Sequence, residues 1–463
     1  MTCTLLTDIN ITYRYAGNCW VQFLSINKIT KEKGYRPSSQ SYSTTMMGSP
    51  AGIENSHGHH SKSSCTMEKS LPASDSPDLE LVPATPSERI ETLKLNISAF
   101  GGRLDIQSYI ERENHLHQQQ LNRNGLITWI LVNRNEAEND RTILSSCETY
   151  PKRALVAHDG RVETAQAQAV GSVFCPLMFR RKGYAGRMIA ELSGKVETWQ
   201  TQQAVSNYNV GRSHCLFSVL YSDIGKSYYA RFGWVPFPSS HISLPPLASK
   251  SHESTQQQDD NPSVVRLLSA NDVRESMCNE HVAEKERNAL QKDSEKSPKK
   301  AIVAIVPDFD HYEWHWAREE FYAQRLGRFP SIKGAGVDQE HADHGVYCTW
   351  NRSFGDTPEH NTLFILHWVY NEPISPSDEK STINAISAIL QRARREAHEW
   401  NMSTVELWNP SPLIRKAAAL IDPIAAQLVH REESSICSLK WHGFDEGLGN
   451  DVEWRWNEKY AWC

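Results

Sequence analysis

Val170-Gly171-Ser172-Val173-Phe174-Cys175-Pro176, followed shortly by Arg180-Arg181-Lys182-Gly183-Tyr184-Ala185, is the stretch on which the reading of this chain turns. The apolar, β-branched run predicts a strand that stops at Pro176, because proline cannot donate to a sheet ladder and keeps its predecessor out of the helical region. Beyond the basic turn, Ala185, Met188, Ile189, Leu192 and Val196 recur at three- and four-residue spacing, which predicts a helix with one buried face. A glycine-bearing turn therefore joins a strand to a helix N-terminus, where unpaired N–H groups and the positive end of the helix dipole point outward together. Phosphate suits such a place. Arg180 and Lys182 strengthen the reading, since cations at this end oppose the dipole unless an anion lies nearby. The spacing is neither that of a Walker loop nor that of a three-glycine dinucleotide fingerprint.

Working outward, Leu216-Phe217-Ser218-Val219-Leu220 predicts a second strand, followed by Tyr221-Ser222-Asp223-Ile224-Gly225-Lys226-Ser227-Tyr228-Tyr229-Ala230-Arg231-Phe232-Gly233-Trp234. The Arg-x-x-Gly-x-Ala turn, then a strand leading to a short helix with an aromatic-Tyr pair and a Gly-aromatic pair, resembles the two signatures of the GNAT acyl-CoA N-acyltransferases. Ser145-Ser146-Cys147-Glu148-Thr149-Tyr150, Val173-Phe174-Cys175-Pro176, Leu220 to Lys226 and the closing Asn457-Glu458-Lys459-Tyr460-Ala461-Trp462-Cys463 resemble the fungal LYC1-like lysine acetyltransferase group, from about Leu81 onward. Two positions depart from that group: Arg181, where a small residue is expected, and Leu177-Met178, where a more polar pair is usual.

The resemblance implies an α/β fold with a GNAT-type mixed β-sheet flanked by helices. It also implies acetyl-CoA as co-substrate, no metal, and direct transfer to a primary amine. Its pyrophosphate would rest on the N–H groups of Arg181, Lys182, Gly183, Tyr184 and Ala185, with Arg180 and Lys182 adding charge. Val173, Phe174 and Cys175 would offer open backbone to the pantetheine arm, and Tyr229 would be the general acid for the departing thiolate. Direct attack by the amine leaves Cys175 without an acyl-carrier role, and no histidine adjoins it to activate it.

At 463 residues the chain predicts two domains plus tails. Lys and Arg number 49 against 55 Asp and Glu, a net charge of −6, so no broad lure for nucleic acid exists. The 10 cysteines are scattered, without zinc-ligand spacing, and read as reduced thiols of a cytoplasmic protein. No apolar run nears the roughly 20 residues a membrane span requires, and the opening residues lack the layout of a signal peptide.

Residues 1–79 read as a disordered or variable extension, with a Ser/Gly/His-rich part too poor in apolar residues to fold. His57-Gly58-His59-His60 reads as a solvated tail cluster more readily than as a metal site. The GNAT domain is expected over 80–247, a Ser/Gln/Asp-rich linker over 248–262, and a second α/β domain over 263–463, laid out as a worn copy of the first without a phosphate loop. In the first domain, Ser87 offers a cap to a helix carrying Ile90, Leu93 and Ile97; a second helix from Ile106 to Leu121 completes the pair that borders the acceptor in GNAT folds.

An amine of pKa about 10.4 pays roughly 4.6 kcal/mol to become neutral at pH 7, so a carboxylate must help remove its proton. Glu148, alternating out of an apolar strand, is one candidate; a salt bridge is its other reading. Asp223 is the second candidate, or else a cap on the helix that carries Tyr229. In the second domain, Trp314, Arg318 and Phe321 share one helix face, read either as aromatic packing or as an acceptor wall in which Trp314 stacks on the ammonium and Glu319 or Glu320 supplies charge. The acceptor expected is the side-chain amine of free L-lysine, with a polyamine, another metabolite amine or a protein lysine as the alternative. A CoA-binding module without turnover is the reading from another class.

Overall fold

A computed structural model describes residues 9–16, 19–26, 71–123, 125–207, 215–248, 265–338, 345–443 and 451–462. The histidine cluster at 57–60 and nearly all of the expected linker lie outside these residues. Strands β1 (Ile9–Ala16) and β2 (Cys19–Ile26) form an antiparallel hairpin of their own in the expected variable extension. The described residues of the first sheet's unit begin at 71, ahead of the expected boundary at 79: Leu71 packs against the core and Pro72 O accepts from Tyr184 Oη at 2.6 Å.

The first half contributes β3 (Leu79–Pro83), α1 (Pro86–Phe100), α2 (Ile106–His117), α3 (Gln120–Arg123), β4 (Ile127–Asn133), β5 (Ser145–His158), β6 (Arg161–Phe174), α4 (Tyr184–Asn207), β7 (Cys215–Ser222), α5 (Ser227–Ala230) and β8 (Val235–Pro236). Thr85, not Ser87, caps α1: Pro86 takes the first helical position, and Thr85 and Glu88 close a capping box. Strand β5 is continuous from Ser145 to His158 and runs through Pro151. Met188, Ile189 and Leu192 of α4 are fully buried, each worth roughly 1.5–3 kcal/mol, so the packed face of the helix fixes the turn ahead of it.

The chain continues with β9 (Ser240–Leu244) before the boundary at 247, and beyond it with β10 (Val265–Leu268), α6 (Ala270–Met277), α7 (Glu280–Lys296), β11 (Ala301–Ile305), α8 (Phe309–Arg325), β12 (Gly334–Val337), β13 (Val346–Ser353), β14 (Thr362–Val369), α9 (Pro376–Glu399), β15 (Thr404–Trp408), α10 (Pro412–Ile421), β16 (Val429–His430), β17 (Ile436–Trp441) and β18 (Val452–Trp454). All of β14 is buried, as a strand covered on both faces must be.

Two mixed sheets result, each flanked by helices. The first runs β18-β11-β5-β6-β7-β17-β8, with β3 and β4 added beside β5; the second runs β10-β12-β13-β14-β15-β9-β16. Each contains one parallel pair joined by a 24-residue helix, β6-α4-β7 and β14-α9-β15. Sheet membership crosses the sequence boundary drawn at 247. Strand β17, late in the chain, lies between β7 and β8, and β9, from the earlier half, lies between β15 and β16. With β11 and β18, the first sheet takes three strands from beyond 247, and the second takes β9 from before it. Between the sheets, Ala167, Phe217 and Val219 of the first share one core with Tyr312, Trp316, Leu366 and Tyr460.

Candidate active site

The parallel pairing of β6 with β7 ends at Val170–Leu220, while β6 continues to Phe174 against β5 alone. Among the described residues, 171–174 thus present one backbone edge without a strand partner, the kind of edge that accepts an extended guest. A register shift between Ser146 and Glu148 accompanies the divergence, and Ser172 opposite it takes φ +51°. A non-glycine residue in the left-handed region of a strand is held there by its surroundings. The bulge brings Ser172 Oγ to 2.7 Å from Glu148 Oε2, which also accepts from Tyr150 Oη at 2.8 Å.

The opening is a cavity of about 860 Å³. Its walls include Val173, Phe174, Cys175, Arg180, Arg181, Gly183, Tyr184, Ala185, Asp223, Tyr229 and Trp314, so much of what the sequence singled out meets at one place. At one end lies the basic turn. Arg181 and Gly183 have φ of +62° and +88°, and a Cβ on Gly183 would stand 2.5 Å from Ser74 Oγ. Only glycine fits both the angle and the space. Among the described residues, the N–H groups of 181–186 find no acceptor; the first such bond of this turn is Arg187 N–H to Gly183 O at 3.0 Å. Left-handed residues that turn consecutive amides to one side make an anion nest. Arg181 therefore keeps the donor set despite its bulk. Arg180 donates to Cys175 O at 2.9 Å and lies over the Phe174 ring, tying the turn to the open strand. Lys182 is exposed and is not among the lining residues.

At the other end the chemistry changes. Tyr229, only 8% exposed, faces Tyr228 edge to face at 5.0 Å; both line the cavity. Tyr228 is half-buried. Burial raises its phenol above the ordinary range, with the neighbouring Cys175 thiol adding to the effect. Burial likewise raises the Cys175 thiol, which works against a thiolate there. Glu148 stands one hydrogen bond behind the lining residues Tyr150 and Ser172. Burial raises its carboxyl and the charge of Glu113 raises it further, against the hydrogen bonds of Ser172 and Tyr150. Asp223 lines the cavity but is no helix cap: Lys226 takes that position on α5, and Asp223 Oδ1 accepts from Ser435 N–H at 2.9 Å, holding the start of β17.

Trp314 and Arg318 both line the cavity from α8. Glu319 does not. One residue along from Arg318, it turns into the second unit and is fully buried in an ion pair with Arg352, 4.0 Å from Lys333, so a role beside Trp314 at the acceptor is corrected to a structural one. Glu320 pairs with Lys333 at 2.8 Å.

Sequence reading passed over several lining groups. Tyr109, Arg112 and Glu113 come from α2, one of the two helices expected to border the acceptor, although no residue pattern marked them. Arg112 Nη2 and Glu113 Oε1 pair at 2.5 Å. Trp462 reaches the cavity from the end of the chain, and no local signal foretells that. Among the described residues, no cluster of three metal-ligating side chains occurs and no helix is long and apolar enough to cross a membrane.

Residues 241–463 match the family model described as the LYC1 GNAT-like C-terminal domain. A lysine acetyltransferase of Yarrowia lipolytica is 27% identical over 292 residues, covering 57% of this chain and 71% of that protein. An uncharacterized protein of Saccharomyces cerevisiae is 26% identical over 397 residues, covering 79% and 93%. Among solved structures, a probable N-acyltransferase of unknown function from Enterococcus faecalis aligns with a TM-score of 0.44 at 11% identity, over 78% of this chain and 72% of that one. An open strand edge beside a nest of free amides suits an acyl-CoA enzyme, and with residues 241–463 matching the LYC1 GNAT-like C-terminal domain the chain is an N-acetyltransferase.

Proposed function

We propose that this enzyme moves the acetyl group of acetyl-CoA to the side-chain amine of a small amino acid, with L-lysine the favoured acceptor. The observation that carries the reading is the pairing of opposites in one cavity: a free amide nest at one end, and at the other a shielded carboxylate beside aromatic walls. Arg318 bears on acceptor choice, since a cation on the cavity wall suits the carboxylate of an amino acid and repels a polyamine. The relative named as a lysine acetyltransferase supports the same choice.

Bound acetyl-CoA supplies a thioester carbonyl, and the chain's residues do the remaining work. The nest at 181–186 would hold the pyrophosphate, and the free edge of 171–174 the pantetheine arm. Glu148, with a carboxyl raised toward neutrality, is suited to take the ammonium proton, directly or through water, after which the neutral nitrogen attacks the carbonyl carbon. As the C–S bond breaks, the Tyr229 phenol is the group proposed to give a proton to the departing sulfur. Trp314 and Trp462 would flank the alkyl-ammonium chain. The described cysteines are unpaired, which fits the reducing cytoplasm.

The test is incubation with acetyl-CoA and a panel of amino acids and polyamines, read by mass spectrometry. Acetylation of lysine ahead of spermidine is expected. A polyamine acetylated faster than any amino acid would overturn the acceptor assignment, and no product with any amine would overturn the whole reading.

A further inference from the structure

The second parallel pair diverges as the first does. Strand β14 pairs with β15 from Thr362 to Ile365, then continues to Val369 against β13 alone, with a register shift between Thr349 and Trp350. The opening is a cavity of about 690 Å³, walled by the end of β14, by residues 409–412 after β15, by α7 and by residues 452–458. By topology it corresponds to the coenzyme slot of the first unit. Its turn, however, is Tyr370-Asn371-Glu372-Pro373-Ile374-Ser375, with no cation. Pro376 opens α9 without an N–H, Ser375 Oγ takes the N–H of Asp378, and Asp378 and Glu379 put negative charge in the first turn. A pyrophosphate would be repelled where β6-α4 would hold it.

The charges that remain point to another guest. His367 is set between Glu458 at 3.1 Å and Glu286 at 3.6 Å. Burial alone would lower its pKa, but the two carboxylates hold it up at about 9. Lys285 lies on the same wall, its Nζ donating to Tyr370 O at 2.6 Å, so the two cations His367 and Lys285 face the three carboxylates of Glu286, Glu372 and Glu458, which leaves one negative charge for an ammonium group. Arg415, exposed on the same wall, has no carboxylate partner among the described residues. Trp454 Nε1 and Asn457 Oδ1, in wall residues each 8% exposed, are buried without a hydrogen-bond partner. An ammonium for Glu286 and Glu458 and a carboxylate for Arg415 describe a zwitterion; a diamine leaves Arg415 unmatched, and a dicarboxylate is opposed by the glutamates.

We infer that this slot is a second ligand site, that it takes a free α-amino acid, and that its occupancy acts on the acceptor site. The route is one segment: residues 454–458 wall this cavity, and Trp462 walls the catalytic one. Between them Lys459 is caged by Trp408, Phe364 and Trp462, its Nζ 3.6 Å from the Trp462 ring centre. The inference does not depend on which amine is acetylated.

Calorimetric titration of the full chain, saturated with CoA and acceptor, with each of the twenty amino acids tests it. At least one is expected to bind under these conditions and to change the acceptor KM. Arg415→Ala should weaken that binding about 10-fold or more with kcat unchanged, since a charge-assisted bidentate pair is lost; the methyl ester of the same amino acid should bind the unaltered chain as weakly. Ala289→Trp, filling the cavity from α7, should abolish the effect. Equal affinity in the unaltered chain and Arg415→Ala, or no binding once the acceptor site is saturated, overturns the inference.

Discussion

The two strand-helix-strand units share their helix length, their diverging strands and the register shift opposite them, and differ most in the turn. In the first, residues 175–183 carry cations and left-handed backbone, and the amides ahead of α4 are left over. In the second, residues 370–376 carry two prolines, Pro373 and Pro376, around a serine cap, and the helix satisfies its own terminus. The core of such a unit is thus indifferent to what its turn does. A helix end that completes its own hydrogen bonds gains stability and gives up anion binding; one that leaves them open keeps the function at a cost that the buried face of α4 can carry.

The comparison breaks most severely if the units are separated. A fragment ending at Leu247 deprives β7 of β17 and β5 of β11, and it is expected to yield no soluble folded protein by circular dichroism and gel filtration. Supplying residues 248–463 as a second chain should restore it. Glu148→Gln should lower kcat by about 10²- to 10⁴-fold. Because the carboxyl is raised in the folded enzyme and must be ionised to accept a proton, the rate of the unaltered enzyme should climb as pH rises through that raised pKa, and the variant should lose this limb. Gly183→Val, which forces a β-branched residue to φ +88° against Ser74, should weaken CoA binding by about 10- to 100-fold, whereas Ser375→Ala in the other turn should leave CoA binding alone and cost only about 1 kcal/mol of stability.

Smaller effects sharpen the contrast between the slots. His367 titrates near 9 when folded and near 6.5 when unfolded, so its stabilisation is complete below 6.5 and lost as pH rises through 9. Thermal melts from pH 6 to 10 should show a loss of at most about 3 kcal/mol that His367→Asn lacks. Smallest is Lys459→Met: burial pushes this amine down to about 7, so an apolar replacement of similar shape should leave stability unchanged or slightly higher while shifting the acceptor KM through Trp462. A large loss of stability would mean that the cage stores more cation-π energy than its desolvation costs.

The sequence alone determined the strand, the basic glycine turn and the helix at 170–196, because hydrophobic period, glycine and charge act over a few residues, whereas Tyr229 is marked only by the family resemblance and Trp314 stays open between packing and an acceptor wall. It could not assign Glu319, since Arg318 and Glu319 are neighbours on one helix and only the packing of α8 between two units decides which faces the cavity. Nor could it reveal that Ser172 turns to hold Glu148, that β9 and β17 each join the sheet across the boundary at 247, or that Trp462 returns to the site. Those are settled by pairing register and by contacts between residues hundreds of positions apart, where the free energy belongs to the assembled sheets and no local stretch carries its record.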